Sequence, residues 1–176
     1  MPFELVQMSH SKPEECHDAF MMEVDPLDAK LLLALEEDPE ATILSLARGL
    51  GVARNTVHAR LRRLSAGGAI GSFSRRVDPA ALGYQLTAFV SIAISQSDGD
   101  SVIRGLSRHP EVIEIHSTTG EADFLIKVVA RDIQDLHRIT NAMLTIDGIV
   151  RTNTSVSLVE AMPLRLRGLL EAAARD

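Results

Sequence analysis

The chain has 176 residues, enough for one ordinary domain or two small ones, and its 45% hydrophobic and 24% charged content is globular rather than disordered. Cys16 is the only cysteine, which excludes intrachain disulfides and thiolate metal clusters, while one Tyr and no Trp argue against an aromatic platform for single-stranded nucleic acid. The net charge of −6 is unevenly spread: residues 1–47 hold eleven acids against Lys12 and Lys30, residues 48–76 hold seven arginines and no acid, and residues 77–176 hold thirteen acids and nine bases. No apolar run is long enough to span a membrane, and the N-terminus lacks the apolar core of a signal peptide. A basic segment in an acidic chain is a local footprint, and local charge attracts phosphate.

Residues 1–23 show no clear period; Pro2, Pro13, scattered charge and the pair Met21-Met22 suggest a flexible extension, within which either methionine is an alternative start. Asp25-Pro26 opens a helix carrying Leu27, Leu31 and Leu35. Thr42 caps a short second helix with Leu46, Ala47 and Leu50, broken by Gly51. A third helix spans about Ala53 to Ala66, ended by Gly67-Gly68. Three short helices with a glycine turn between the last two read as a helix-turn-helix. A short strand over Ala69 to Val77 then leads through Asp78-Pro79 to Gly83 as a hinge.

Beyond it the period changes. Leu86, Ala88, Val90, Ile92 and Ile94 alternate with smaller or polar residues as a strand. Asp98 to His109 reads as a helix, Glu111 to Thr118 and Asp123 to Ala130 as strands, Asp132 as the cap of a longer helix, and Ile149 to Glu160 as the fourth strand. Pro163 begins a final helix with Leu166, Leu169 and Leu170. The order βαββαβ is ferredoxin-like. The fold class is therefore α+β: a winged-helix-like helix-turn-helix domain (24–72), a short strand hinge (73–85), a ferredoxin-like domain (86–162) and a C-terminal helix (163–176), after the extension 1–23. The helices cover one sheet face, and a second copy of the chain is the simplest cover for the other.

On the third helix, Val57, Leu61 and Leu64 form the buried stripe. The opposite face carries Asn55, His58, Ala59 and Arg62, flanked by Arg54 and Arg63. Small residues allow close approach to a groove floor, Asn pairs bidentately with adenine and Arg with guanine. The competing interpretation is a solvated basic face. Arg60 lies nearer the buried stripe and is expected in an ion pair with Asp28; Arg75 and Arg76 belong to the hinge.

These residues match a known pattern. Asp25 and Asp28, then Leu46-Ala47, Leu50-Gly51-Val52, Thr56-Val57, Arg60 to Leu64 and Gly68-Ala69-Ile70, follow in order and spacing a helix-turn-helix type. The hinge Val77-Asp78-Pro79 with Leu82-Gly83-Tyr84 and the turns Thr119-Gly120-Glu121 with Asp123 and Gly148 to Thr152 with Thr154 extend the match. Over about Val24 to Glu160 the chain resembles the Lrp/AsnC ("feast/famine") transcription regulators. The resemblance implies double-stranded DNA as partner; on the helical projection the residues expected to contact it are Arg54, Asn55, Thr56, His58, Arg62 and Arg63. It implies dimers that assemble further, commonly to octamers, and a small effector, usually an amino acid, held near the Gly-x-x-Asp turn. It also implies a cytoplasmic, nucleoid-associated protein. Three departures stand out: Ala53 occupies the usual position of a Ser cap, Glu40 that of a basic residue, and the extension 1–23 is longer than typical.

The candidate effector residues are Thr118, Thr119, Gly120, Glu121, Asp123, Thr152 and Thr154. Asp123 or Glu121 can accept from an ammonium group, and backbone N–H groups with Thr152 or Thr154 can serve a carboxylate. The same residues also make an ordinary hairpin turn. No nucleophile motif or phosphate loop is present, His10, Cys16 and His17 make a poor metal site, and His116 reads as structural, so no catalytic residue, metal or cofactor is expected. The alternatives to an effector-responsive, sequence-specific regulator are an architectural DNA-packing protein and a ferredoxin-like ligand-binding or enzymatic dimer.

Overall fold

The computed structural model describes residues 23–95 and 99–175. The extension with His10, Cys16, His17, Met21 and Met22, and Asp98, lie outside the described residues. Two compact units emerge: one contains the described residues up to Ser72 and those from Leu164 onward, the other is Phe73–Pro163.

The first unit starts with α1, Pro26–Glu37. Asp25 caps it: its carboxylate accepts from the Asp28 N–H at 2.9 Å, and the Asp28 carboxylate accepts from the Asp25 N–H at 3.2 Å. This reciprocal box satisfies two N–H groups that the helix itself cannot. Thr42 opens α2, Ile43–Leu50, by accepting from the Ser45 N–H at 3.1 Å. Gly51, at φ 67°, ends it in the left-handed region, and the Val52 N–H turns back to the Ala47 carbonyl at 3.0 Å. A residue with a Cβ would be strained in that turn. The chain then enters α3, Arg54–Ala66. The core between the three helices is Leu31, Leu46, Ala47, Val57 and Leu64, with Leu35, Leu61 and Ile70 packed around it. α6, Arg167–Ala173, packs on α1, and Arg167 bonds Glu37 at 3.1 Å and Glu171 at 2.9 Å.

The strand expected over Ala69–Val77 does not form. Ile70 instead turns back, its N–H donating to the Leu64 carbonyl at 3.2 Å and its side chain joining the helical core. No neighbouring strand offers this stretch a ladder, and Phe73–Arg76 winds into a single 3-10 turn. Asp78 caps a second 3-10 turn, Pro79–Leu82. The connection is thus two tight turns rather than an extended wing.

The second unit is β1 (Leu86–Ile94), α4 (Gly99–Leu106), β2 (Val112–Ser117), β3 (Phe124–Ala130), α5 (Ile133–Met143) and β4 (Ile149–Val156). The sheet order is β2-β3-β1-β4 with every neighbouring pair antiparallel, the ferredoxin-like arrangement. Ala88, Val90 and Ile92 of β1 and Ile126 and Val128 of β3 face both helices and are fully buried with Val102, Leu106, Ile139 and Met143. α4 comes close to the α5 side: a Cβ at Gly105 would stand 2.7 Å from Ile146 Cγ2. β4 stops at Val156 rather than Glu160, because the Ser157 N–H donates to Thr87 at the start of β1 and little partner strand remains. The alternate side chains of β1, including Phe89, Ser91 and Ala93, point to the face away from α4 and α5.

Candidate functional site

α3 presents Arg54, Asn55, His58, Ala59 and Arg62 to solvent. None of Arg54, Asn55, His58 and Arg62 makes a side-chain hydrogen bond or ion pair among the described residues, so their donors are free for a ligand. Thr56 is half-buried beside them. Ala53, at the start of the helix, provides no side-chain cap, which leaves the first N–H groups of α3 to solvent or to an anion.

Arg60 and Arg63 are engaged. Arg60 Nη1 lies 2.5 Å from Asp25 Oδ2 and 2.8 Å from Asp28 Oδ1. Arg63 Nη2 bonds Asp28 Oδ2 and lies 3.7 Å from Asp25 Oδ2. The ion pair expected between Arg60 and Asp28 is present, but it is part of a four-residue network that also holds Arg63, which sequence reasoning set on the DNA-facing side. Asp28 is wholly buried, whereas 48% of the Arg63 side chain is exposed. The hydrogen bond from Arg60, and after it that from the Asp28 N–H, pulls the Asp25 pKa from 3.8 down to about 2. The same bonds, to Asp25 first and Asp28 second, raise the pKa of Arg60. Asn55, Thr56, Ala59, Arg60 and Arg63 line a shallow depression of about 500 Å³ along this edge of α3.

In the second unit the turn between β2 and β3 is held from within. Gly120 takes φ 113°, the Thr118 N–H donates to the Asp123 carbonyl at 2.9 Å, and the Thr118 hydroxyl donates to the Ala122 carbonyl at 2.8 Å. Asp123 ties the turn to β1: its N–H donates to the Ile92 carbonyl at 2.9 Å, and its Oδ2 accepts from the Ile94 N–H at 2.8 Å. Beside the turn lies a cavity of about 400 Å³ lined by Ser91, Ala93, Glu121, Ala122, Arg151, Thr152 and Asn153. Of the residues singled out by sequence, Glu121 and Thr152 line it, with Thr118, Thr119, Gly120 and Asp123 forming the turn behind, but Thr152 stands opposite Ile92, a core position, so its side chain takes the helix-side face of β4. Thr154 pairs with Val90, a core position, and so takes the helix-side face of β4. Sequence reasoning missed Ser91, Ala93, Arg151 and Asn153. The alternation in β1 already set Ser91 and Ala93 off the core face, but their meeting with Arg151 and Asn153 follows from the β1–β4 register. Among the described residues, no cluster of His, Cys, Asp or Glu is arranged to hold a metal ion, and no helix is long and apolar enough to cross a membrane.

Comparison with known proteins gives this geometry its context. Residues 24–65 match the AsnC-type helix-turn-helix domain and residues 87–165 the Lrp/AsnC ligand binding domain. The HTH-type transcriptional regulator FL11 of Pyrococcus horikoshii is 30% identical over 135 residues, covering 77% of this chain and 89% of that protein. The structure of E. coli AsnC superposes with a TM-score of 0.74 at 32% identity, covering 83% of this chain and 99% of that one. The feast or famine regulatory protein Rv3291c from M. tuberculosis, solved in complex with L-methionine, superposes with a TM-score of 0.71 at 28% identity, covering 81% and 97%. With both domains matched in order, and with a helix-turn-helix followed by a four-stranded sheet carrying two helices, this chain belongs to the Lrp/AsnC family: it is a transcriptional regulator with a DNA-binding and a ligand-binding domain.

Proposed function

We propose that the chain reads double-stranded DNA in the major groove with Arg54, Asn55, Thr56, His58 and Arg62, while Arg63, bonded to Asp28, stands at the edge of that face outside the contact set, and that a free amino acid in the Glu121–Arg151 cavity modulates binding. The single observation that carries the effector half is the pairing of opposite charges across one small cavity. Arg151 donates to the ligand carboxylate and Glu121 accepts from its ammonium group. Ser91 and Asn153 add polar partners around it, while Thr118, Thr119, Gly120 and Asp123 keep the turn in shape and Thr152 braces β4 beside them. The complex of Rv3291c with L-methionine supports the ligand class. Thr154 contributes to β4 rather than to the ligand.

The working form is a homodimer assembling further, as in an octamer, in the cytoplasm and on nucleoid DNA. Supporting the assembly is the sheet face opposite α4 and α5, which presents Phe89 among its side chains, more than a third exposed. Burying such apolar surface between two copies is favourable, and the cavity opens on that same face. No catalytic role is assigned.

Footprinting on the DNA upstream of the protein's own gene, with and without each amino acid, tests the reading. A bounded protected site whose occupancy changes with one or a few amino acids is the expected result. Uniform protection would instead indicate DNA packing. Observed affinity should fall with salt at a slope of about −0.9 per phosphate contact.

A further inference from the structure

We infer that Asp25 and Asp28 limit the phosphate-contacting surface of α3, and with it the salt dependence of DNA binding, by withholding Arg60 and Arg63 from the DNA backbone. The inference rests on the reading of α3 as the DNA-contacting helix. Arg60 and Arg63 are neighbours along the edge of α3 next to Asn55 and Ala59, and all four line the same depression. Without α1 their guanidinium groups would extend the basic face toward any duplex docked on it. Instead the buried Asp28 carboxylate bonds both, through Oδ1 to Arg60 and through Oδ2 to Arg63. Asp25 adds a second charge 2.5 Å from Arg60 and 3.7 Å from Arg63. Two carboxylates against two guanidinium groups leave no net charge there, so these arginines release no counterions when DNA approaches.

The consequence is weaker, less salt-sensitive binding to every duplex. A phosphate contact strengthens binding to every sequence alike, whereas base-edge contacts favour one. At about 0.15 M salt, each additional phosphate contact raises affinity for any duplex on the order of five-fold, taking the counterion slope of about −0.9. Two such contacts would tighten binding to the correct site and to random sequence alike, on the order of thirty-fold, and leave their ratio unchanged. The network also means that the stretch with seven arginines and no acid presents less than its formal charge to DNA: its compensating acids lie in α1, outside the stretch.

Binding of the full-length protein is measured by fluorescence anisotropy against a duplex carrying its footprinted site and a random-sequence duplex of equal length, across a salt series. Thermal melts report folding. Arg62→Gln should weaken binding and flatten the salt slope by about 0.9, the loss of one phosphate-equivalent contact. Arg63→Gln, which leaves Asp28 paired with Arg60, should leave the slope at its wild-type value. Asp28→Asn should steepen the slope by about one to two contacts' worth and tighten binding to both duplexes alike, leaving their ratio unchanged. Asp25→Asn, at a partly exposed position, should do the same to a smaller extent and decides the matter where Asp28→Asn does not fold. If Arg63→Gln flattens the slope as Arg62→Gln does, Arg63 already touches phosphate and the inference is overturned. It is equally overturned if folded aspartate variants keep the wild-type slope and the wild-type affinity for both duplexes and lose only thermal stability, the signature of a purely structural network. A wild-type protein that binds neither duplex would overturn the reading of α3 itself, which is a different failure.

Discussion

Asp28 is a carboxylate with no solvent exposure in a small helical unit, and its environment shows how it is kept there. It receives a backbone hydrogen bond from Asp25 and two guanidinium bonds, so both oxygens are satisfied. Removing one member of such a buried group leaves the others uncompensated, at a cost of roughly 3 kcal/mol or more. Asp28→Ala should therefore lower the stability of the helix-turn-helix by about that amount in chemical denaturation. Asp25 responds to pH. Its folded pKa of about 2 lies below the ordinary 3.8, so the folded state binds the proton more weakly than the unfolded chain. The stabilisation it brings is complete above 3.8 and is lost as pH falls from 3.8 toward 2. The difference in denaturation midpoint between wild type and Asp25→Asn should be full at neutral pH and shrink through that window. Its carboxylate is partly exposed, so solvent screening keeps the size of the effect modest. The Asp28–Arg60 pair was legible because helical periodicity put Arg60 beside the buried stripe. Arg63 was assigned to the DNA face because a helical projection does not show a carboxylate reaching in from another helix.

The secondary-structure elements were most legible where local chemistry decides them. Asp25-Pro26, Thr42 and Asp132 each open a helix by accepting from a free N–H, and a single stretch of sequence contains all that is needed. Ala69–Val77 failed for the opposite reason: a strand needs a partner, and Ile70 gains more by packing on Leu64 and its neighbours. The cavity residues Arg151 and Asn153 were missed because their company depends on pairing between strands distant in sequence. α3 itself has a correctable weakness. Its first residue position lacks a side-chain cap, so Ala53→Ser should stabilise the unit by about 1 kcal/mol, seen as a shifted urea midpoint with an unchanged slope. At the core of the same element, Leu64→Ala should cost about 2 to 5 kcal/mol, since Leu64 is fully buried.

On the scale of the whole molecule, the chain passes between its two units twice, near Ser72 and again near Leu164. The helix expected as a separate C-terminal piece packs on α1, and nothing in its local sequence announced a partner 130 residues away, as Arg167 and Glu37 are. Ending the chain after Met162 should lower the stability of the helical unit and speed amide exchange in α1, while exchange in β1 and β3 stays as in the full chain. The arrangement also sets an order of manufacture. Synthesis runs from the N-terminus, so α1, α2 and α3 leave the ribosome while Arg167 has yet to be translated, and the whole sheet unit is made in between. The helical core must close first on its own apolar residues, and α6 arrives last, as a fastening added to a part already shaped. A bulky fusion placed behind residue 176 would therefore press on the DNA-binding unit, although that unit begins at the other end of the chain.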